Sequence, residues 1–305
     1  MCDCCDYTRA AVAGMFKDRG STGIPAPEAP LEGLIADKAG PGSRPTAALT
    51  CFLLLTYGLS WAIEVPAALT AYGLFHVRIP KGLQALAQFT PAIAALTTAG
   101  VFYGSSAIKA ALAPLFKVRV SILWYALAVL LAPATQAAAM LIYSRSGHSL
   151  PKFAVWSDLL VMVLVSSIFS AGEELGWRGF FLPRLLQGNS LLAATGWMAS
   201  VWGLWHLPFY FAVGSESQPG RWLVYLLFLA GIFPVSAFFV LIYSRTKSVI
   251  LCCVLHGCLN AGAAYWFSPL PTGPGQTLLI AVWVGMMWIA AVPVFVALAR
   301  RPHPK

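Results

Sequence analysis

Two adjacent carboxylates, Glu173 and Glu174, interrupt an otherwise apolar segment in the middle of the chain. A charged side chain at the centre of a membrane helix costs about 2.5–3.5 kcal/mol on insertion scales, so such groups need a partner or a function. Arg178 follows Glu174 by four residues and shares its helix face, which predicts that these two side chains pair. Glu173 lies about 100° further round the helix and is predicted to be available for chemistry.

Two later apolar segments each contain a histidine. His206 precedes Pro208, which lacks a backbone N–H and is predicted to kink the helix beside the imidazole. His256 precedes Asn260 by four residues, a spacing that places the imidazole and the amide on one helix face. Counted from the nearest loops at 1.5 Å per residue, Glu173 lies about 16 Å deep and each histidine about 14 Å deep. At this common level, near the middle of a core of about 30 Å, the three groups could line one water-filled cavity.

Each of these groups also has an ordinary structural interpretation. A single histidine in a membrane helix is more often a contact between helices than a catalyst, and a Glu–Arg pair could be a packing clamp or part of an ion path. An unpaired carboxylate and two histidines at one depth nevertheless favour a function. Glu64, a further acid in an apolar segment, is expected to line a cavity or to bond to another helix. Gly172 and Gly176 predict a small-residue face that lets a neighbouring helix approach closely.

The segments that carry these side chains are long and strongly apolar. Of the 305 residues, 59% are hydrophobic and only 10% are charged, whereas a soluble domain has roughly 25% charged residues. The apolar segments, each of roughly 19–29 residues and so able to cross a hydrocarbon core, are 47–75, 83–104, 121–143, 156–183, 191–213, 222–243, 249–267 and 277–298. The sequence therefore predicts an all-α polytopic membrane protein with about eight transmembrane helices.

Charge is distributed unevenly along the chain. Residues 1–45 contain six of the eleven acidic residues, whereas the rest of the chain has five acids against fifteen lysines and arginines. This balance fits basic loops at an anionic lipid surface better than nucleic-acid binding. Basic residues in the loops favour a cytosolic location for both termini. Residues 1–45, with Cys2, Cys4 and Cys5, are predicted to be a disordered polar tail, and residues 46–300 form one helical domain.

Three short motifs on separate predicted helices resemble those of the CPBP family of intramembrane proteases (CAAX proteases and bacteriocin-processing enzymes, also called Abi), especially its bacterial members. The motifs are Glu173-Glu174-x-x-x-Arg178, His206-Leu207-Pro208 and His256-x-x-x-Asn260. One position departs from the pattern, because the family commonly has Phe four residues before the histidine of the second motif, and this chain has Trp202.

The resemblance implies a helical intramembrane endopeptidase. It assigns Glu173 and His206 to the activation of a water molecule, and it assigns His256 and Asn260 to stabilisation of the oxyanion that forms on the scissile carbonyl. The Glu174–Arg178 pair would hold the site together. No cofactor is implied. The substrate would be a membrane-associated peptide or a prenylated protein, and the location would be the lipid bilayer of a bacterial cell.

Three alternatives remain open on the residues alone. Glu173, His206 and His256 could ligate Zn²⁺ and leave one position for a hydrolytic water, although the chain has no His-Glu-x-x-His signature. A non-catalytic immunity or scaffold protein could use the same fold. A proton-coupled transporter could use Glu64 with the same groups, but no inverted repeat or pair of broken helices supports it.

Overall fold

The structure is a computed structural model that describes residues 44–77, 79–150, 156–212, 221–267 and 273–300. Within these ranges the chain forms helices and no strand, which confirms the predicted all-α fold. The predicted tail lies outside the described residues except for its last two positions, and its three cysteines are among the residues left out.

The helices are named here in chain order. They are α1 (Arg44–Ala71), α2 (Lys81–Ala87), α3 (Thr90–Tyr103), α4 (Ser105–Leu112), α5 (Ile122–Arg145), α6 (Trp156–Glu174), α7 (Leu182–Leu185), α8 (Leu191–Trp205), α9 (Leu207–Ala212), α10 (Arg221–Thr246), α11 (Val249–Trp266) and α12 (Pro274–Ala299). A 3₁₀ turn, Ala113–Phe116, follows α4, and a π-helical segment, Leu175–Phe181, joins α6 to α7.

Six helices of the described chain are long and apolar enough to cross a membrane. They are α1, α5, the continuous run of α6 with its extension to Leu185, α10, α11 and α12. The other two predicted segments are broken: α3 has 14 residues and α8 has 15, which corresponds to only about 21–23 Å at 1.5 Å per residue. Pro91, in the first turn of α3, begins a new helix after α2, and Pro208 lies just beyond the end of α8.

Glycines let the helices around the site approach one another closely. At Gly257 of α11, an added Cβ would lie 2.0 Å from the Ser167 hydroxyl oxygen of α6. At Gly176 it would lie 2.5 Å from the backbone of Pro91, and at Gly172 it would lie 2.9 Å from the Gln88 carbonyl oxygen. The predicted small-residue face at Gly172 and Gly176 is therefore confirmed, and the turn at Gln88–Phe89 and the start of α3 pack on it.

Two side chains of α1 connect this helix to α8. The Tyr57 hydroxyl donates a hydrogen bond to the carbonyl oxygen of Val201, and the Trp61 indole donates one to that of Trp205 over 3.1 Å. Helix α11 packs against both α5 and α6. The helices that carry the three motifs are thus each fixed by neighbours.

Candidate active site

Glu174 is the most buried carboxylate of the site and has two partners. Its Oε1 accepts a hydrogen bond from Arg178 Nη1 over 2.8 Å, and both side chains are fully buried. The predicted pairing of these two residues is confirmed. The same oxygen lies 2.8 Å from His256 Nδ1 on α11. Because an ionised carboxylate only accepts, Nδ1 carries the proton and Nε2 is left for other contacts.

Two aromatic rings pack against the Arg178 guanidinium. Its Cζ lies 4.3 Å from the ring centre of Trp202 on α8 and 3.9 Å from that of Phe239 on α10. Cation–π contacts of this kind contribute about 0.5–2 kcal/mol each where water is excluded. Arg178 belongs to the π-helical segment, a geometry that occurs frequently at functional sites.

Glu173 faces a different helix from its neighbour. Its side chain is buried, and its Oε2 accepts a hydrogen bond from the Trp202 indole N–H over 2.9 Å. The second oxygen, Oε1, makes no hydrogen bond with any residue that the structure describes. Glu173 therefore has no partner on its own helix, as predicted, but it has one on α8.

His206 lies in the break between α8 and α9, so the predicted kink beside Pro208 is confirmed. The ring is half-buried, and Nδ1 lies 2.8 Å from the carbonyl oxygen of Trp202. A carbonyl oxygen only accepts, so Nδ1 carries the proton and Nε2 of the neutral ring is a free base. The ring centre lies 4.7 Å from that of Trp205 and 5.0 Å from that of Phe228.

The three predicted chemical groups meet around one indole. The Trp202 ring bonds to Glu173, and its centre lies 5.7 Å from that of His206 and 5.3 Å from that of His256. Glu174 is joined to the same cluster through His256. The arrangement supplies a carboxylate with one unbonded oxygen and two imidazoles, each with Nδ1 occupied and Nε2 not hydrogen-bonded within the described chain. Chemically, this combination suits proton transfer and stabilisation of a developing anion.

Two predicted residues do not join this cluster. Asn260 is exposed on α11 and forms no hydrogen bond with the described part of the chain, although its spacing puts it one turn beyond His256. Glu64 is buried on α1, and its Oε2 has no hydrogen-bond partner among the described residues. Among the residues that the structure describes, no hydrogen bond or ion pair connects Glu64 to the cluster.

The zinc alternative requires three donor side chains grouped around one point. Within the described ranges, no three His, Cys, Asp or Glu side chains are grouped so that they could hold a metal ion, and this includes Glu173, His206 and His256.

Two contacts of the site were missed by the sequence reasoning. In the sequence, Trp202 stands out only as an aromatic departure from the second motif, and nothing there predicts its hydrogen bond to Glu173. The contact of Phe239 with Arg178 is not predictable from the sequence, because a phenylalanine in an apolar helix looks the same there as its lipid-facing neighbours.

Two comparisons with known proteins relate the chain to CAAX proteases. Residues 154–262, which contain all three motifs, match the family described as "Type II CAAX prenyl endopeptidase Rce1-like". The chain is also 27% identical over 113 residues to "CAAX prenyl protease 2" of Methanococcus maripaludis. That match covers 35% of this chain and 41% of the relative, so the chain spans less than half of the curated protein that it matches.

These two findings confirm the resemblance to the CPBP family of CAAX proteases that the motifs indicated.

Proposed function

We propose that this protein is an intramembrane endopeptidase that hydrolyses a peptide bond in a membrane-associated or lipidated peptide. The observation that carries the proposal is the convergence of Glu173, His206 and His256 around the buried indole of Trp202. A purely structural set of polar side chains would pair internally. Here one carboxylate oxygen and two ring nitrogens have no hydrogen-bond partner among the described residues.

Glu173 and His206 are proposed to activate the attacking water. The Nδ1–H of His206 is held by a backbone carbonyl, so its Nε2 presents a lone pair to the site. A water bound between this nitrogen and Glu173 Oε1 would lose a proton to the pair as its oxygen bonds to the scissile carbonyl carbon. The same proton then passes to the leaving nitrogen as the carbon–nitrogen bond breaks, which yields a carboxylic acid and an amine.

His256 is proposed to stabilise the oxyanion. With Nδ1–H bonded to Glu174, a protonated imidazole would donate its Nε2–H to the negatively charged oxygen. By the resemblance, Asn260 would be a second donor. Arg178 balances the charge of Glu174, which keeps this carboxylate available as the partner of His256.

The proposed mechanism uses no metal ion, and the lipid bilayer with a peptide or prenylated protein is the expected partner. We also propose a bacterial cell-membrane location with both termini cytosolic, on the basis of the basic loops. A free-thiol labelling assay on cysteines introduced into the loops measures this orientation.

The test is cleavage of a peptide library, with and without prenyl groups, by the full-length chain in lipid nanodiscs. We expect Glu173→Gln to lower kcat by about 10²–10⁴-fold, the usual contribution of general acid–base catalysis. Glu64→Gln is the matched control, because it neutralises a buried carboxyl outside the cluster and is expected to leave the rate within about threefold of wild type. Full activity of the Glu173 variant would refute the assignment.

A chelator arm tests the metal-free mechanism in the same assay. We expect activity to survive removal of divalent metals; loss with chelator and recovery with Zn²⁺ would contradict this proposal. If no peptide is cleaved by the wild-type protein, the non-catalytic immunity or scaffold function becomes the better explanation.

A further inference from the structure

Trp202 contacts four charged or titratable residues of the cluster. Its indole N–H donates to Glu173, its carbonyl oxygen accepts from His206, and its ring covers the guanidinium of Arg178. Its ring is also an edge-on neighbour of His256. The side chain is buried, so these contacts are made away from bulk water.

The hydrogen bond to Glu173 is the contact that phenylalanine could not replace. Phenylalanine would retain an aromatic face for Arg178 and ring contacts with both histidines, and the carbonyl of residue 202 would still accept from His206. It would, however, leave Oε2 of Glu173 without its donor. The carboxylate group of Glu173 could then rotate, and no other described residue would hold Oε1 towards the water.

We propose that Trp202 is a positioning residue that holds Glu173 through the indole N–H, so that Oε1 is presented to the attacking water. This inference rests on the proposed function of Glu173. Trp202 acts through the carboxylate and does not itself exchange protons with the substrate.

The kinetic test compares Trp202→Phe with Trp177→Phe in nanodiscs. Trp177 is an equally buried indole on the π-helical segment that follows Glu174, but its N–H has no hydrogen-bond partner in the described structure. Both substitutions remove the same atoms from a packed site. We expect Trp202→Phe to lower kcat by about 10- to 100-fold, as for a hydrogen bond to a charged group, with KM little changed. We expect Trp177→Phe to lower kcat by less than about threefold.

The split between kcat and KM separates positioning from general damage. A loosened site would raise KM and lower the amount of folded protein, whereas a misplaced carboxylate lowers kcat and kcat/KM together. Equal effects of the two substitutions on kcat, or wild-type kcat in Trp202→Phe, would overturn the proposal while leaving the proposed protease activity intact.

A second measurement does not depend on proteolysis. Heteronuclear NMR with isotope-labelled indole nitrogens gives one N–H signal for each of the eleven tryptophans, and the signal absent from Trp202→Phe belongs to Trp202. We expect this signal to move in Glu173→Gln, because a neutral amide replaces a charged acceptor, and to stay in place in Glu64→Gln. If Trp202→Phe does not fold, a single indole signal that shifts only in Glu173→Gln gives the same answer.

The two tests fail in distinguishable ways. An unmoved set of indole signals in Glu173→Gln shows that the hydrogen bond is absent, and the inference is then wrong whatever the enzyme does. If the signal shifts in Glu173→Gln but the wild-type protein cleaves no peptide, the hydrogen bond is present and the protease function is refuted.

Discussion

Removing Glu174 should destabilise the protein more than removing Arg178, although the two form one ion pair. Both side chains are fully buried and lie 2.8 Å apart. In Glu174→Gln, the arginine keeps its charge and retains only a neutral acceptor and the two aromatic faces. In Arg178→Met, the carboxylate keeps the Nδ1–H of His256, whose protonated imidazole still gives it a partner of opposite charge.

The magnitudes follow from these contacts. Breaking a buried ion pair by removing one partner costs about 3–5 kcal/mol. The two rings around Arg178 are present with and without Glu174 and bring no opposite charge, so Glu174→Gln is expected to lose about 3–5 kcal/mol. A hydrogen bond between charged groups offsets about 1.5–3 kcal/mol, so Arg178→Met is expected to lose about 1–2 kcal/mol. Against a typical total of about 5–15 kcal/mol, the difference is measurable.

The assay is unfolding of each variant in mixed detergent at increasing SDS, followed by far-UV circular dichroism. The double variant, Glu174→Gln with Arg178→Met, leaves no lone charge and should lose less than the sum of the single losses. If Arg178→Met is as destabilising as Glu174→Gln, or more so, then His256 does not support the carboxylate and the reasoning fails.

Two further predictions use the same unfolding and cleavage assays. Gly257→Ala is expected to lose about 1–3 kcal/mol or more, because the new Cβ meets the Ser167 hydroxyl oxygen at 2.0 Å; Gly196→Ala, with no atom within 4 Å, is expected to be neutral or to gain up to about 1 kcal/mol from helix propensity. Equal SDS unfolding midpoints for Gly257→Ala and Gly196→Ala would contradict this prediction. Pro208→Ala supplies the missing backbone N–H, so α8 should continue through His206 and displace the imidazole; kcat is expected to fall at least about 10-fold, and an unchanged kcat would show that the break is dispensable.

The local geometry of the site was predictable because it depends on helical spacing alone. Glu174 and Arg178 pair as their four-residue separation requires, and the helix breaks beside Pro208 because proline has no N–H to donate. The close approach at Gly172 and Gly176 follows from the absence of side chains there.

Contacts between helices were not predictable from one sequence. The bond from Trp202 to Glu173 joins residues 29 positions apart, and that from His256 to Glu174 joins residues 82 apart. Periodicity fixes which face a side chain occupies but not which helix that face meets. The break between α2 and α3 was missed for a related reason, since the hydropathy of residues 83–104 is continuous across Pro91.

The adjacency of the two carboxylates is itself part of the chemistry. Neighbouring positions on a helix point about 100° apart, so Glu174 can be neutralised by Arg178 while Glu173 turns towards α8. In the proposed resting state His206 is neutral and His256 is protonated, and the negative charge that takes part in the reaction lies on Glu173. When the proposed water attacks, its proton stays within the cluster and the negative charge moves to the oxyanion. The reaction therefore relocates a buried charge and does not create one, which keeps the electrostatic contribution to its barrier small in an apolar interior.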